Sequence, residues 1–541
     1  MGTNSDEIVE LREDLSGSPY YNRDMAPVPR SERKWGMKDI AALWISMAAC
    51  VTTYTLASSS ISQGFSWWQS VLTIFIGNVI VLIPMVLNAH AGTRYGIPFP
   101  VYCRASFGLL GANVPALLRA LVACGWFGIQ SWIGGWAIYK VLEMNFPEWQ
   151  QLPLIDGLGI TWPQFACFLF FWSINILIIY LGIESIRILL NFKAPLLIGL
   201  GLALLAWAVL QARAVKPDAG FGPMFAEPSR LHGREFWHFF FPALTAAVGY
   251  WATLSLNIPD FSRYAHSQRD QVLGQALGLP TTMALYSFIG AAVTSAAVII
   301  YPNVAAKELW EPINLITRFA NPIVLALALF ALSLATLATN IAANVVSPAN
   351  DFAHVWPRYI GFRTGGLITG LIGIAIQPWR LYNDPSGYIY TWLIGYSSLL
   401  GAIGGILLAD YYIIRRTKLD LAGLYRKLSP YWYSGGFNLV AIVALLAGIA
   451  PCVPGFLATI TELPFWERFA GYPLVFTKTS ALDAIAKTYE LKNAHIITFS
   501  DFWVDLYSYA WFVSFGVAFV VYLVCTPVFR SSASAKVIPK T

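Results

Sequence analysis

A tryptophan and a glutamine lie four residues apart within an apolar run of this chain. In the stretch CGWFGIQSWIGG, residues 124–135, Trp126 and Gln130 share one face of a helix. An indole offers a flat stacking surface and one hydrogen-bond donor, whereas an amide offers both a donor and an acceptor. The pair suits a flat, polar, uncharged ring. Gln130 would serve equally well as a hydrogen bond between packed helices, so the pair alone leaves both interpretations open.

A second set of polar residues follows one face of a later apolar run. In ATLATNIAANVVSPAN, residues 335–350, Thr336, Asn340 and Asn344 recur every four residues, and Thr339 lies beside them. Polar side chains at membrane depth are costly and usually face the bundle interior or a water-filled cavity. The stripe therefore favours a hydrated site over simple hydrogen bonding between helices.

Two further stretches could contribute chemistry. Gly249, Tyr250 and Trp251 follow one another in AAVGYWATLSLNIPDFSRYA, residues 246–265, where the glycine would allow a broken helix or a close packing contact. Lys193 is the only basic residue well inside a predicted span, about nine residues or roughly 14 Å from its end. Thr339 lies at a similar depth in its own span. Snorkelling of the lysine to the interface is the alternative.

The elements that carry these residues are predicted to cross a membrane. The 541-residue chain is 57% hydrophobic and only 12% charged, and apolar runs of about 20 residues recur along it. We therefore predict an all-α integral membrane protein. Twelve spans are expected, near residues 40–63, 68–92, 112–142, 163–183, 190–211, 238–260, 276–301, 320–347, 365–379, 387–412, 436–458 and 503–527.

Lysine and arginine predict the orientation of these spans. The N-terminal segment and loop 413–435 are rich in both residues, whereas loops 143–162 and 302–315 hold only Lys307 beyond the predicted span ends. The positive-inside rule then places both termini in the cytoplasm, although loop 212–237 opposes it with four basic residues. With no signal-peptide pattern before residue 39, we expect a multi-pass protein of the inner or plasma membrane.

Composition and spacing disfavour several function classes. The six histidines lie at span ends or in loops, and the six cysteines are scattered, so no metal site, disulfide framework or cofactor is expected. No carboxylate pair or activated nucleophile lies in the spans, which disfavours an enzyme, and no phosphate-binding loop is present. The aromatic cluster argues against a channel. Beyond the lipid bilayer, the expected partner is a small uncharged solute and not a nucleic acid.

Several long motifs, in order, give the chain a family resemblance. NAHAGTRYGIPFPVYCRASFG, LRALVACGWFGIQSWIGG, NIPDFSRYA and ATNIAANVVSPA resemble the nucleobase–cation symporter-1 family, which carries purines, pyrimidines, hydantoins, allantoin and some vitamins. The likeness covers the chain from about residue 26 to 416, with two more spans beyond. It implies a leucine-transporter-type core, in which spans 1–5 and 6–10 are inverted repeats and spans 1 and 6 are broken beside the site.

The resemblance implies a substrate site between the repeats. Trp126 and Trp251 would sandwich a planar ring, while Gln130 and Asn344 would hydrogen-bond its NH and carbonyl groups. Cys50 stands where the family's bacterial hydantoin transporter has glutamine, and Tyr250 where it has glycine. The resemblance also implies Gly249 at the second helix break and Tyr396 as a gate from span ten, and the polar stripe adds Asn340 to the expected site.

The resemblance also implies a cation site, with one departure. Carbonyl groups of Ser46, Ala49 and Ala335 and the hydroxyl of Thr339 would hold a sodium ion, but Ala338 stands at the second hydroxyl position. Because a hard oxygen ligand is missing, we hypothesise proton coupling, in which Lys193 takes and releases the proton in place of sodium. Sodium coupling is the alternative.

The sequence thus predicts a cation-driven symporter that imports a nucleobase or cyclic ureide by alternating access. The expected order is allantoin or uracil-like compounds first, then hydantoins or dihydropyrimidines, then purines; a sodium-coupled carrier of a purine or vitamin is the alternative. The expected regions are a flexible cytoplasmic tail 1–38, a transport core 39–412 with repeats 39–211 and 238–412, a cytoplasmic loop 413–435, spans eleven and twelve in 436–527 with an outer segment 459–502, and a tail 528–541.

Overall fold

The fold is described by a computed structural model. It covers residues 8–534 except 182, 218–228, 305, 310, 319–321, 383–386, 461–471 and 490–493. The side chains of 183–197, 306–307, 322–323, 388, 390 and 528–534 also lie outside the described set. The side chain of Lys193 therefore lies outside the described residues.

The first half of the described chain is helical. Its α-helices are α1 (Met37–Ala48), α2 (Val51–Ser62), α3 (Trp67–Tyr95), α4 (Phe99–Phe107), α5 (Asn113–Glu143), α6 (Trp162–Leu181), α7 (Ile183–Val215), α8 (Arg234–Tyr250), α9 (Ala252–Asn257) and α10 (Pro259–Ser262).

The second half adds further helices and two strands. They are α11 (Gln268–Ile300), α12 (Ala306–Leu309), α13 (Pro312–Ile316), α14 (Pro322–Asn344), α15 (Val346–Val355), α16 (Phe362–Ala375), α17 (Pro378–Leu381), α18 (Ile394–Leu408), α19 (Leu439–Ile449), α20 (Val453–Ile460), β1 (Leu474–Lys478), α21 (Leu482–Tyr489), β2 (His495–Phe499), α22 (Asp501–Leu506) and α23 (Ala510–Ser534). Wider π-helical turns, Gly387–Leu393 and Ala409–Ile414, flank α18.

Every predicted span coincides with described helix. Among the described residues, nine helices are long and apolar enough to cross a membrane, and the bent pair α1–α2 would make a tenth. The other two predicted spans fall on the run α8–α10 and on the shorter apolar helix α16. The all-α membrane architecture is therefore confirmed.

The first span is broken at mid-length without a glycine or proline. Helices α1 and α2 meet at 55°, and Cys50 between them is extended, with φ −150° and ψ 165°. Val51, Thr52 and Thr53 follow at once, and β-branched residues lose side-chain freedom in a helix. The Thr53 hydroxyl donates to the Ala48 carbonyl at 2.8 Å, which pairs a backbone group at the end of α1.

The sixth span is also broken, but the expected position of its break is wrong. Helix α8 continues through Gly249 and ends at Tyr250, and the helical path is interrupted at Trp251, with φ −105° and ψ 9°. Gly249 serves close packing instead: a Cβ there would lie 2.9 Å from the Leu393 carbonyl oxygen and 3.0 Å from the Ser397 Cβ. The glycine lets span six approach span ten closely.

Span eight is interrupted by a single residue where its polar stripe ends. Helix α14 finishes at Asn344, and Val345, with φ −115°, separates it from α15. Helix α14 packs against α5 and α7, while the first span packs against α11. The breaks in spans one, six and eight therefore lie among closely packed helices, where the ends of half-helices can line a cavity.

The N-terminal segment differs from the flexible tail that the sequence suggests. From residue 8 onward it packs on the loops at the predicted cytoplasmic end, where the Val9 N–H donates to the Arg94 carbonyl and the Val28 N–H to the Gly96 carbonyl. Arg33 is buried and donates to the carbonyls of Val28 and Thr93. Backbone pairing and a buried guanidinium hold this segment in place, which composition alone does not reveal.

The outer segment contains more structure than one short helix. Helix α21 forms within the predicted stretch, and strands β1 and β2 on either side of it pair in parallel, with Phe476 opposite Ile497. The rings of Phe476 and Phe499 stack at 6.1 Å. This strand–helix–strand unit was not predicted.

Candidate functional site

A narrow cavity lies where the broken spans meet the polar stripe. Its volume is about 20 Å³, room for about one water molecule. No charged side chain lines it, which suits an uncharged solute. The lining residues are Met47, Cys50, Thr52, Trp126, Gln130, Tyr250, Trp251, Thr253, Leu254, Thr339, Ala343 and Asn344.

Two polar atoms of this lining are buried without a hydrogen-bond partner. The Gln130 amide nitrogen donates to the Thr52 hydroxyl at 3.2 Å, but its oxygen Oε1 has no partner among the described residues. The indole N–H of Trp251 is likewise unpaired within the described part of the chain. Leaving a buried polar atom unpaired costs about 1–3 kcal/mol. A ligand that bonds this acceptor and this donor would remove that cost.

Tyr250 fills the space between the two tryptophans. Its ring meets Trp126 edge-to-face at 5.2 Å between centroids and meets Trp251 in the same way at 5.0 Å. Its hydroxyl lies 2.6 Å from the Thr52 hydroxyl and 3.3 Å from the Cys50 sulfur. Because this side chain occupies the space, a planar ring would enter between the tryptophans only after Tyr250 moves.

Tyr396 joins span ten to spans three and six. Its hydroxyl donates to the Gly249 carbonyl at 2.9 Å and accepts from the Trp126 indole N–H at 3.3 Å. These two bonds connect the end of α8 to a wall of the cavity. This position is compatible with the predicted gate.

The two asparagines of the stripe have different surroundings. Asn344 lines the cavity, and its amide donates to Asn340 Oδ1 at 3.1 Å. Asn340 is not part of the lining: its amide nitrogen lies within hydrogen-bond distance of the Phe127 carbonyl, Ser131 Oγ and Asn175 Oδ1. Asn340 therefore orients Asn344 and ties span eight to spans three and four.

The residues of the proposed cation site come together in part. Ala49 and Ala335 are buried in one cluster with Tyr286, so the break in span one packs against span eight. The Thr339 hydroxyl donates to the Ala335 carbonyl at 3.1 Å, and both Ala338 and Ser46 are buried. Helix α7, which carries Lys193, runs beside α14.

Sequence reasoning missed several members of the site. Thr52 is the hydrogen-bonding partner of Gln130 and Tyr250, and Thr253 adds a second hydroxyl-bearing residue to the lining. Thr53 supports the break in span one. The run of hydroxyl residues VTTYT was the available signal, because it places three threonines within an apolar span.

Comparison with known proteins agrees with the fold and identifies the family. Residues 27–470 match the family described as permease for cytosine/purines, uracil, thiamine, allantoin. The chain is 47% identical over 445 residues to the purine-uracil permease NCS1 of Arabidopsis thaliana, covering 82% of this chain and 72% of that one. It is 37% identical over 434 residues to the allantoin permease of Bacillus subtilis (strain 168), covering 79% and 85%.

Two solved structures of the nucleobase-cation-symport-1 transporter Mhp1 share the fold. The inward-facing conformation is 22% identical with a TM-score of 0.69, covering 95% of this chain and 94% of that one. A closed conformation with bromovinylhydantoin bound is 24% identical with a TM-score of 0.65, covering 91% and 100%. The protein is thus a multi-pass membrane transporter that belongs to the family of permeases for cytosine and purines, uracil, thiamine and allantoin.

Proposed function

We propose that this transporter imports a planar cyclic amide, either a nucleobase or a cyclic ureide. The observation that carries the proposal is the unpaired acceptor of Gln130 and the unpaired donor of Trp251 in one uncharged cavity. A ring NH would donate to Gln130 Oε1, and a ring carbonyl would accept from the Trp251 indole N–H. Trp126 offers an aromatic face to the ring, and Asn344 offers a second amide.

The names of the relatives support this class of ring. They include permeases for purines and uracil and for allantoin, and one structure of the Mhp1 fold holds a substituted hydantoin. Uracil, allantoin and hydantoin rings all carry adjacent NH and carbonyl groups, whereas a purine such as adenine has no ring carbonyl. Allantoin or uracil-like compounds stand first in our order, followed by hydantoins or dihydropyrimidines and then purines.

We further propose that protons drive import by alternating access. Ala338 offers no side-chain oxygen beside Thr339, whose hydroxyl already donates to the Ala335 carbonyl. Lys193 on the neighbouring helix α7 would supply a positive charge in place of the sodium ion, as protonated amine. Its deprotonation toward the cytoplasm would release the proton and the solute together. Sodium coupling is the alternative that the experiment must exclude.

The test is uptake of labelled uracil, allantoin, hydantoin, dihydrouracil and adenine by cells expressing the protein. Gln130→Ala should abolish uptake of the accepted ring. The matched control is Asn78→Ala, because Asn78 is also a buried amide whose oxygen has no partner among the described residues, but it lies outside the cavity lining. Equal losses in both variants, at equal surface expression, would show that Gln130 acts through packing. No uptake of any ring would reject the substrate class.

The coupling ion is tested in the same cells. Proton coupling predicts that a protonophore stops accumulation and that replacing sodium does not. Lys193→Ala should then lose accumulation while exchange of labelled for unlabelled solute persists. Sodium-dependent accumulation that survives in Lys193→Ala would establish the alternative.

A further inference from the structure

Glu311 is a buried carboxyl group outside the membrane spans. It immediately precedes α13, in the connection between spans seven and eight that the sequence places on the outer side. Only 6% of the residue is exposed. Its Oε2 accepts from the Asn314 N–H at 3.0 Å, whereas Oε1 is buried and has no hydrogen-bond partner among the described residues.

The groups that face this carboxyl are mostly neutral. Helix α13 packs against α2. Two neutral phenols lie within electrostatic range of the Glu311 carboxyl: Tyr54 on α2 and Tyr382 in the loop after α17. Among the described side chains, the attractive charge that contributes is Lys140 of α5, and its ammonium group is already 2.8 Å from Glu143. Glu308, on the neighbouring helix α12, is exposed.

A carboxylate in such surroundings is costly to ionise. Burial penalises the charged form more than the backbone N–H groups and Lys140 stabilise it, and no other described cation contributes. Burial accordingly raises the pKa of Glu311 from 4.5 to about 8. The group is therefore neutral below that pH as long as α13 stays packed, and it would regain its ordinary acidity if α13 lifted into water.

We propose that Glu311 makes the packing of residues 311–318 against span one depend on external protons. Packing buries the carboxyl and takes up a proton from the outer solution, and unpacking returns the proton to the same side. Helix α2 begins beside Cys50 in the cavity lining and packs against α13. When α13 is packed it covers this path to the cavity from the outer side, so acid outside favours the covered state. This deepens the proposed function, because it regulates access to that same cavity.

The direction and window of the effect follow from the two protonation states. Between about pH 4.5 and pH 8 the packed state binds one more proton than the open state. The equilibrium constant for packing therefore falls about tenfold for each unit rise in pH across this window. Above about pH 8 the carboxyl is ionised in both states, so the equilibrium no longer changes.

The test measures exposure of this segment without using transport. Ile313 is fully buried, so an Ile313→Cys variant reports opening through labelling by a membrane-impermeant maleimide. Protein in liposomes, at equal pH on both sides and without solute, is labelled from pH 5 to pH 9. Because thiolate content itself rises with pH, each rate is divided by that of the same cysteine in denatured protein.

The normalised rate should rise up to tenfold per pH unit and level off near pH 8. Adding Glu311→Gln should make it low and independent of pH, whereas adding Glu308→Gln, which removes an exposed carboxyl nearby, should leave the rise intact. A rise that persists in Glu311→Gln would overturn the proposal. If that variant fails to fold, a flat profile in the parent protein overturns it alone. The result holds whichever solute is carried, so it is separable from failure of the proposed function.

Discussion

Tyr250→Phe should strengthen the apparent affinity for substrate. The Tyr250 ring occupies the space between Trp126 and Trp251, and the cavity beside it has room for about one water molecule. Substrate must therefore displace this ring, and the short bond from its hydroxyl to Thr52 at 2.6 Å resists that displacement. Removing the hydroxyl removes the bond and keeps the aromatic packing.

The expected size follows from the hydrogen bond that is lost. A neutral intramolecular hydrogen bond contributes about 0.5–1.5 kcal/mol net, and each 1.4 kcal/mol corresponds to a tenfold change in an equilibrium constant. The cost of moving the ring should fall by this amount, so KM should fall about 2- to 10-fold. Thr52 keeps the Gln130 amide as a donor, which limits damage to the lining.

The assay is initial-rate uptake over a range of substrate concentrations, normalised to protein at the cell surface. Tyr522→Phe is the matched control, because the Tyr522 hydroxyl bonds Asp410 Oδ1 at 2.9 Å, away from the cavity. That variant should lose stability without a change in KM. If Tyr250→Phe instead raises KM, the hydroxyl contacts the bound substrate and the displacement argument is refuted.

Three further substitutions test the surrounding structure. Gly249→Ala should reduce the maximal uptake rate severalfold at normal surface expression, because the new methyl group would meet the Leu393 carbonyl oxygen at 2.9 Å. Ala338→Ser combined with Lys193→Ala should produce sodium-stimulated uptake, because the serine adds a hydroxyl ligand and the alanine removes the competing positive charge. Uptake that does not respond to sodium would contradict the proposed cation site. Arg33→Met should release the N-terminal segment, seen as faster limited proteolysis before residue 37, because a buried guanidinium that bonds two carbonyls is lost.

The sequence predicts the spans well because a bilayer demands long apolar helices. It does not reveal the break in span one, which has no glycine or proline. That break is stabilised by a contact between the Thr53 hydroxyl and the Ala48 carbonyl and by packing against neighbouring helices. Gly249 shows the converse problem, since a glycine that suggests a break serves a close contact with span ten instead.

Side-chain roles in the cavity depend on neighbours that are distant in sequence. Tyr250 and Thr52 are separated by 198 residues, and only the folded chain shows that their hydroxyls meet. Asn340 and Asn344 have the same residue type and share a helix face, yet only Asn344 reaches the cavity. A periodic stripe identifies the polar face of a helix. It does not show which side chains on that face bond to neighbouring helices and which remain available in the cavity.

The dependence of uptake on external pH would have two separate origins in this protein. A proton on Lys193 would cross the membrane with the solute and therefore sets how far the solute accumulates. A proton on Glu311 would enter and leave on the outer side, so it changes the rate without contributing driving force. Glu311→Gln should accordingly flatten the dependence of initial uptake on pH when no gradient exists, while accumulation against a gradient persists. Lys193→Ala should lose accumulation against a gradient and keep the pH dependence of initial uptake. A single substitution that abolishes both the pH dependence and the accumulation would mean that one group performs both roles.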